Sequence, residues 1–141
     1  MLVHEKYSFP LELYYAKETH IWTRRNETDV TCGLDSIALD TFGDIAYISV
    51  LPIGTVVKQG EAMGTVEAAK MVDDLLAPIS GTITDHNPVS LANPEIINDD
   101  GYGNGWLLTI TPLDWENESV SLIHGPTLEA WVKEEAERQD Q

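Results

Sequence analysis

The stretch Gly64-Thr65-Val66-Glu67-Ala68-Ala69-Lys70-Met71-Val72-Asp73-Asp74-Leu75 decides the fold of this chain. Val66 on one side, and Val72 and Leu75 on the other, flank a central run that contains the small residues Ala68 and Ala69. This arrangement is typical of a strand, a tight turn and a second strand. Lys70 falls near the centre of the turn. The sequence therefore predicts a β-hairpin that holds Lys70 at its apex.

The sequence around this hairpin indicates a mainly β fold. From residue 44 to residue 84, short runs of Val, Ile, Leu and Tyr are interrupted every few residues by Gly or Pro, which is typical of a compact barrel or sandwich. Pro52-Ile53-Gly54-Thr55-Val56 is echoed by Pro78-Ile79-Ser80-Gly81-Thr82-Ile83. This weak repeat indicates two similar halves that face each other. We therefore expect a flattened barrel or sandwich hybrid with Lys70 on a hairpin turn.

Two helices are expected outside this β region. Asp35 is a candidate N-cap and Gly43 a candidate closing residue, so the sequence predicts a short helix near residues 35–42. Apolar residues among charges predict a C-terminal helix over residues 127–138. We expect this second helix to be frayed from Glu134 onward.

The remaining segments are expected to be short strands, a loop and an extension. Two strands joined by a hairpin are predicted around the polar turn at residues 26–29, and a closing strand over residues 106–111. Residues 88–106 are rich in Asn, Asp, Pro and Gly, which predicts a structured loop. Residues 1–14 have no clear period and predict an N-terminal extension that packs on the domain.

Length and composition bound the class of protein. The 141 residues fit a single domain, 1–141. A composition of 43% hydrophobic and 23% charged residues argues against disorder. Eight basic against 24 acidic residues give a formal net charge of −16, which repels nucleic-acid phosphates and anionic lipid headgroups. The charge therefore argues against a nucleic-acid or membrane-surface role.

Cysteine usage and the N-terminus predict a cytoplasmic protein. Cys32 is the only cysteine, so no internal disulfide can form, a reducing cytosol is suitable, and we expect this thiol to be buried. Residues 1–10 lack the apolar run of a signal peptide, and no stretch approaches the roughly 20 apolar residues of a membrane span. The four histidines lie at spacings unlike those of metal ligands, so we predict no metal site.

Lys70 is the only basic residue from position 59 to position 132, a stretch that holds 12 acidic residues. One interpretation is an ordinary turn lysine paired with Glu67, Asp73 or Asp74, and such surface pairs contribute only about 0–1 kcal/mol. The other interpretation is a lysine presented for modification. It lies at a hairpin apex beside small residues, and the nearby acids could mark the site for an enzyme.

The chemistry of an exposed lysine favours the second interpretation. Its pKa is about 10.4, so it is mostly a non-nucleophilic ammonium at neutral pH, and acidic neighbours stabilise that charged form further. Schiff-base catalysis by Lys70 is therefore disfavoured. An accessible amino group is suited instead to anchoring, as an amide, a long acyl group that carries chemistry the protein itself lacks.

The hairpin resembles the attachment site of lipoyl and biotinyl carrier domains, whose modified lysine lies at the tip of a β-hairpin. Met71 after the lysine is a biotin-carrier trait, whereas Ala69 stands where biotin carriers usually have Met and acyltransferase lipoyl domains usually have Asp. The flanking segments resemble the glycine cleavage system H protein. They are Lys17-Glu18-Thr19-His20-Ile21-Trp22, with one residue inserted, Phe42-Gly43-Asp44-Ile45-Ala46-Tyr47-Ile48, Leu51-Pro52-Ile53-Gly54, Ala77-Pro78-Ile79-Ser80-Gly81 and Asn93-Pro94-Glu95-Ile96-Ile97-Asn98-Asp99-Asp100-Gly101-Tyr102-Gly103-Asn104-Gly105-Trp106-Leu107.

The resemblance covers residues 15 to about 135, and the chain departs from it beside the lysine. Ala68-Ala69-Lys70-Met71 stands where the H family usually has Ser-Val-Lys-Ala, and Asp73-Asp74 stands where it usually has Ser-Asp. Gly101 replaces the usual Pro, and the extension over residues 1–13 is longer than typical. These departures keep the lysine but alter the surface that a partner would touch, so they leave the pathway open.

The resemblance implies a carrier without catalytic activity, with lipoate joined covalently to Lys70 by a lipoate-attaching enzyme. Loss of the ammonium would change the formal net charge from −16 to −17. The strained dithiolane ring would accept a fragment on one sulfur, and a flavin disulfide reductase would reoxidise the thiols. The other candidate site residues, which either flank the lysine or could line a groove that shields the cargo from water, are Glu67, Ala69, Met71, His20, Asp73 and Asp74.

Two cargoes fit the resemblance. In glycine cleavage, an aminomethyl group passes from a pyridoxal-phosphate glycine decarboxylase to a folate-dependent aminomethyltransferase. In the H-like lipoate-binding proteins of bacterial sulfur oxidation, the cargo is sulfur and the partner is a heterodisulfide-reductase-like complex. The clustering of changes beside Lys70 favours this second branch slightly. The alternatives are a biotinyl carrier and an unmodified acidic interaction module, and we expect a monomer.

Overall fold

Strands dominate the computed structural model, which describes residues 1–139, with 36% strand and 28% helix. The strands are β1 (Leu2–His4), β2 (Tyr7–Phe9), β3 (Tyr14–Tyr15), β4 (Ile21–Arg25), β5 (Val30–Leu34), β6 (Ile45–Val50), β7 (Val56–Val57), β8 (Ala62–Ala68), β9 (Val72–Leu76), β10 (Gly81–His86) and β11 (Leu108–Pro112). The helices are α1 (Ser36–Phe42), α2 (Pro88–Ala92), α3 (Glu95–Asp99), α4 (Trp115–Glu118) and α5 (Leu128–Gln139). The predicted mainly β class is confirmed.

The strands form two open antiparallel sheets and a separate hairpin. Six strands pair in the order β3-β4-β5-β11-β10-β7, three pair in the order β6-β8-β9, and β1 pairs with β2 alone. The two echoed segments of the sequence meet each other, because Val56 of β7 lies opposite Thr82 of β10. Ile83 strengthens this contact by donating its backbone N–H to the carbonyl of Thr55.

The core consists of two apolar clusters. The larger cluster draws on strands of both main sheets and includes Val30, Cys32, Ile48, Val66, Leu75, Ile83 and Ile110. The second joins the N-terminal strands to α5 and includes Phe9, Tyr15, Trp22, Trp131 and Val132. Full burial of a large apolar side chain contributes about 1.5–3 kcal/mol. The N-terminal extension therefore belongs to the packed body of the protein, as the sequence predicts.

Local signals correctly predict the elements on either side of the site. Asp35 caps α1, because its Oδ1 accepts a hydrogen bond of 2.9 Å from the backbone N–H of Ala38. Gly43 ends the helix with a φ of 75°. The hairpin between β4 and β5 closes with a hydrogen bond from the N–H of Asn26 to the carbonyl of Asp29.

The structure corrects two expectations. The segment 88–106 is not a loop throughout, because α2 and α3 lie within it; Asn87 caps α2 and Pro88 occupies its first turn. The C-terminal helix is not frayed from Glu134 onward either, since α5 continues to Gln139 and buries Glu135 and Ala136. In residues 1–139, no helix has the length and apolar character needed to cross a membrane.

Candidate functional site

The hairpin of β8 and β9 presents Lys70 at its apex, as predicted. Glu67 of β8 pairs with Val72 of β9, and the N–H of Ala68 donates to the carbonyl of Met71 to close the turn. Lys70 and Ala69 are exposed, whereas Met71 is half-buried and packs against the larger core cluster. The turn therefore leaves the lysine accessible to solvent, while Met71 packs its base against the core.

The turn is fixed to the end of α1 by the backbone. The N–H of Ala69 donates to the carbonyl of Asp44 at 2.9 Å, and the N–H of Lys70 donates to the carbonyl of Phe42 at 3.0 Å. Carbonyl groups at the end of a helix lack partners within the helix, so the turn satisfies one of them. The lysine thus stands on a platform held by two elements distant in sequence.

The side chain of Lys70 lies across the end of α1. Its Nζ donates a hydrogen bond of 2.9 Å to the backbone carbonyl of Asp40. Its aliphatic stem passes Gly43, where a Cβ atom would come within 3.3 Å of the lysine Cγ. The positive φ therefore favours glycine at this position, and the absence of a Cβ leaves room for the stem of the lysine.

A groove of about 180 Å³ runs beside the hairpin. Its walls come from the turn before β4, from β4 and β5, from α1 and from β9. The lining residues are Glu18, Thr19, His20, Ile21, Leu34, Ala38, Thr41, Phe42, Met71, Asp73, Asp74, Leu75 and Leu76. The groove therefore combines an apolar floor with carboxylates, and it begins next to the lysine-bearing turn.

Three carboxylates give the groove its charge. Asp73 and Asp74 are exposed on β9, the edge strand of its sheet, and Glu18 is exposed on the facing wall. Both aspartates line the groove although they are adjacent in sequence. The structure thus brings both aspartates predicted from the sequence to a common cavity with Met71.

His20 borders the groove, but its ring is engaged inside the protein. Nδ1 lies 2.8 Å from Asp35 Oδ2, Nε2 lies 2.7 Å from Glu135 Oε1, and the ring stacks on Trp131. Burial acts to lower the pKa of His20, but the hydrogen bonds and charges of Asp35 and Glu135 outweigh it, so the pKa is raised above its ordinary value. His20 therefore fastens α5 to the wall of the groove.

Comparison with known proteins assigns this architecture to a family. The model of the family described as "Glycine cleavage H-protein" matches residues 13–135, which is most of the chain. The chain belongs to the glycine cleavage H-protein family. The segment before residue 13, which contains β1 and β2, lies outside the match.

Individual members of the H-protein family agree with this assignment. A glycine cleavage system H protein from Anaeromyxobacter sp. (strain K) is 36% identical over 126 residues, which cover 89% of this chain and 97% of that protein. One from Microcystis aeruginosa is 39% identical over 102 residues, or 72% of this chain and 77% of that protein. The crystal structure of an H protein from Mycobacterium marinum superposes with a TM-score of 0.71 at 32% identity, covering 74% of this chain and 87% of that chain.

H proteins are non-catalytic carriers that bear lipoate covalently on a lysine, and this chain is such a carrier. The site fits the group, because an exposed amino group stands beside a groove with an apolar floor. Family membership favours lipoate over biotin, the alternative that Met71 suggests. Within residues 1–139, no cluster of three or more His, Cys, Asp or Glu side chains could hold a metal ion.

Several residues at this H-protein site escape analysis of the sequence. Asp40 and Gly43 contact Lys70, and Asp35 and Glu135 hold His20, yet the sequence predicts a site role for none of them; Asp35 and Gly43 are predicted only as the ends of a helix. Asp40 and Gly43 lie at the end of the predicted helix, which is the one signal that could have found them. Glu67, a candidate, is exposed on β8 next to the turn.

Proposed function

We propose that Lys70 is the lysine that carries the lipoyl group of this H protein. The observation that carries the proposal is an exposed lysine at a hairpin apex, anchored through its own backbone to the end of α1. It is also the only basic residue between positions 59 and 132. An attaching enzyme can therefore reach the amino group without unfolding any part of the chain.

The residues around Lys70 hold the arm and shelter its end. When bound, the lipoyl group supplies a strained disulfide that accepts a fragment from one enzyme and yields it to the next. The rigid turn tethers that group and raises its effective concentration at a docked partner. The apolar lining of the groove, including Ile21, Phe42 and Leu75, would exclude water from the end of a bound arm.

The charge of the groove supports an aminomethyl cargo. A protonated amine is attracted to carboxylates, and Glu18, Asp73 and Asp74 line the groove. The partners are then a glycine decarboxylase, an aminomethyltransferase and a flavin-containing dihydrolipoamide dehydrogenase, as in glycine cleavage. We infer that the protein works in the cytoplasm with these enzymes, as a single domain over residues 1–141.

An exchange reaction tests this cargo. Lipoylated protein is mixed with a glycine decarboxylase, and the incorporation of labelled bicarbonate into glycine is followed over time. We expect exchange that depends on lipoylation and disappears in Lys70→Arg. Lipoylated protein that supports no exchange would contradict the aminomethyl cargo while leaving the attachment site intact.

Sulfur is the second candidate cargo, with a heterodisulfide-reductase-like complex as partner. The departures at Ala69, Met71 and Asp73 lie on or beside the turn that carries Lys70, where a different partner would make contact. The same lipoylated protein would then gain sulfur from a sulfur donor in the presence of that complex, as an added mass on the arm. Gain of sulfur without glycine exchange would favour this candidate.

A further inference from the structure

The N-terminal hairpin of β1 and β2 lies outside the family match, yet it is built into the site. Tyr7 and Phe9 are buried, and the carbonyl of Ser8 accepts a hydrogen bond of 2.7 Å from the hydroxyl of Tyr102. The N–H of Ser8 also donates to the hydroxyl of Ser36, the first residue of α1. The hairpin is therefore held rigidly against the helix whose far end receives Lys70.

Asp40 is where this hairpin meets the lysine. Its Oδ1 lies 3.2 Å from Lys6 Nζ, and its Oδ2 accepts a hydrogen bond of 2.8 Å from the hydroxyl of Tyr7. Its backbone carbonyl accepts the hydrogen bond from Lys70 Nζ. Both carboxylate oxygens thus contact the N-terminal hairpin, and Lys70 contacts only the backbone of the same residue.

The pairing of the Asp40 carboxylate with Lys6 rather than with Lys70 affects how readily Lys70 can be acylated. An amine attacks an acyl donor only as the neutral base, and an ion pair with a carboxylate keeps it in the ammonium form. We propose that Lys6 is a positioning residue for the acylation of Lys70, because it occupies the Asp40 carboxylate that would otherwise pair with the Lys70 ammonium. The inference rests on Lys70 as the attachment site.

The Asp40 carboxyl is charged, so it can form an ion pair with either Lys6 or Lys70. The hydrogen bond from Tyr7 acts most strongly to lower the pKa of Asp40, and burial opposes it. The hydrogen bond and charge of Lys6 and the nearby charge of Lys70 lower this pKa further, so it lies below its ordinary value and the carboxyl is ionised at neutral pH. Removing Lys6 leaves a charged carboxylate without its lysine partner at the residue that Lys70 already contacts. Lys6 is 67% exposed and Asp40 32% exposed, so the cation can be removed without disturbing the core.

The acylation step itself is balanced as follows. The Lys70 ammonium first loses one proton to water. Its nitrogen then bonds to the carbonyl carbon of an acyl adenylate, the bond from that carbon to the phosphate oxygen breaks, and the nitrogen releases a second proton to a base. The amide product keeps one N–H, so the hydrogen bond to the carbonyl of Asp40 can persist after the charge is gone.

Chemical acetylation tests the inference without any partner enzyme. Each variant is treated with N-hydroxysuccinimidyl acetate, and peptide mass spectrometry gives the rate at Lys70 relative to the exposed Lys58 of the same molecule. We expect Lys6→Ala to slow Lys70 about 2- to 5-fold, the range set by an exposed ion pair. Lys6→Arg should keep the wild-type rate, and the control Lys133→Ala should change nothing.

The decisive variant is Lys6→Ala combined with Asp40→Asn. If the carboxylate is what slows Lys70, neutralising it restores the rate lost in Lys6→Ala. An unchanged rate in Lys6→Ala, or a double variant as slow as Lys6→Ala, overturns the proposal. Lipoylation by a lipoate ligase, measured in parallel, tests separately whether Lys70 is the attachment site. A wild-type protein that acquires no lipoate at Lys70 would overturn that assignment. The rates of chemical acetylation would still decide the role of Lys6.

Discussion

Glu135 lies 115 residues after His20 in the chain, and its Oε1 lies 2.7 Å from Nε2 of that histidine. Asp35 contacts the other ring nitrogen, and the ring stacks on Trp131. Arg138 forms a salt bridge with the other carboxylate oxygen, with its Nε 3.0 Å from Glu135 Oε2. The C-terminal helix is thereby fastened, through one imidazole, to the turn that forms a wall of the groove.

Removing this fastening should destabilise the protein. Breaking a buried ion pair by deleting one partner costs about 3–5 kcal/mol, and the rim position of Glu135 places Glu135→Ala at the lower end of that range. Urea unfolding followed by tryptophan fluorescence measures the change. The neighbouring exposed residue gives a matched control, because Glu134→Ala should change the free energy of unfolding by less than about 0.5 kcal/mol.

The same cluster predicts a pH dependence with a defined sign. The pKa of His20 is raised in the folded protein, so the folded state binds this proton more tightly than the unfolded chain. The stabilisation is fully present below the unfolded pKa of about 6.5 and is lost as the pH rises through the folded value. The free energy of unfolding should therefore fall on passing from pH 6 to more alkaline pH.

The substitution His20→Asn isolates this contribution. Asparagine tolerates the φ of 60° at this position, and the other histidines are retained. We expect a smaller decrease in the free energy of unfolding with pH than in the wild-type protein. Equal slopes for the two proteins would mean that another group is responsible.

Local signals in the sequence were sufficient for the hairpin that bears Lys70 and for the cap of α1 by Asp35, because each depends on residues within a few positions of each other. Local signals were insufficient to predict the contact between His20 and Glu135. A charged residue near a chain end looks solvated until tertiary contacts bury it, and no local pattern pairs residues so far apart. Asn87 and Pro88 carry the capping signal of α2, but the Asn, Asp, Pro and Gly content of residues 88–106 predicts a loop instead.

Gly43→Ala should affect both stability and acylation. Its φ of 75° and ψ of −152° belong to a region that only glycine occupies readily, and such strain costs about 1–3 kcal/mol. The new Cβ also presses on the stem of Lys70. We expect a lower melting temperature and slower lipoylation, measured by intact mass over time.

Gly60→Ala is the control for backbone strain alone. Gly60 has a φ of 89°, but a Cβ there meets nothing within 4 Å. It should lose stability and still be lipoylated at the wild-type rate. If Gly43→Ala and Gly60→Ala were both lipoylated slowly, the loss of stability, and not the contact with Lys70, would explain the slow lipoylation of Gly43→Ala.

The carboxylates of the groove should protect an amine cargo. Asp73→Asn and Asp74→Asn each remove a charge from the lining, and we expect release of the aminomethyl group by hydrolysis to become about 2- to 5-fold faster for each, as for an exposed ion pair. Glu27→Gln, an exposed carboxylate in the turn after β4, is the control. Equal hydrolysis in all three would show that the groove aspartates do not contact the cargo.

Site-resolved mass analysis of the lipoylated protein tests the central claim most directly. The wild-type protein and Lys58→Arg, treated with a lipoate ligase, should each gain the mass of one lipoyl amide, located on the peptide that contains Lys70. Lys70→Arg should gain none while remaining folded by circular dichroism. An adduct on a different lysine, or a Lys70→Arg variant that is still lipoylated, would contradict the account.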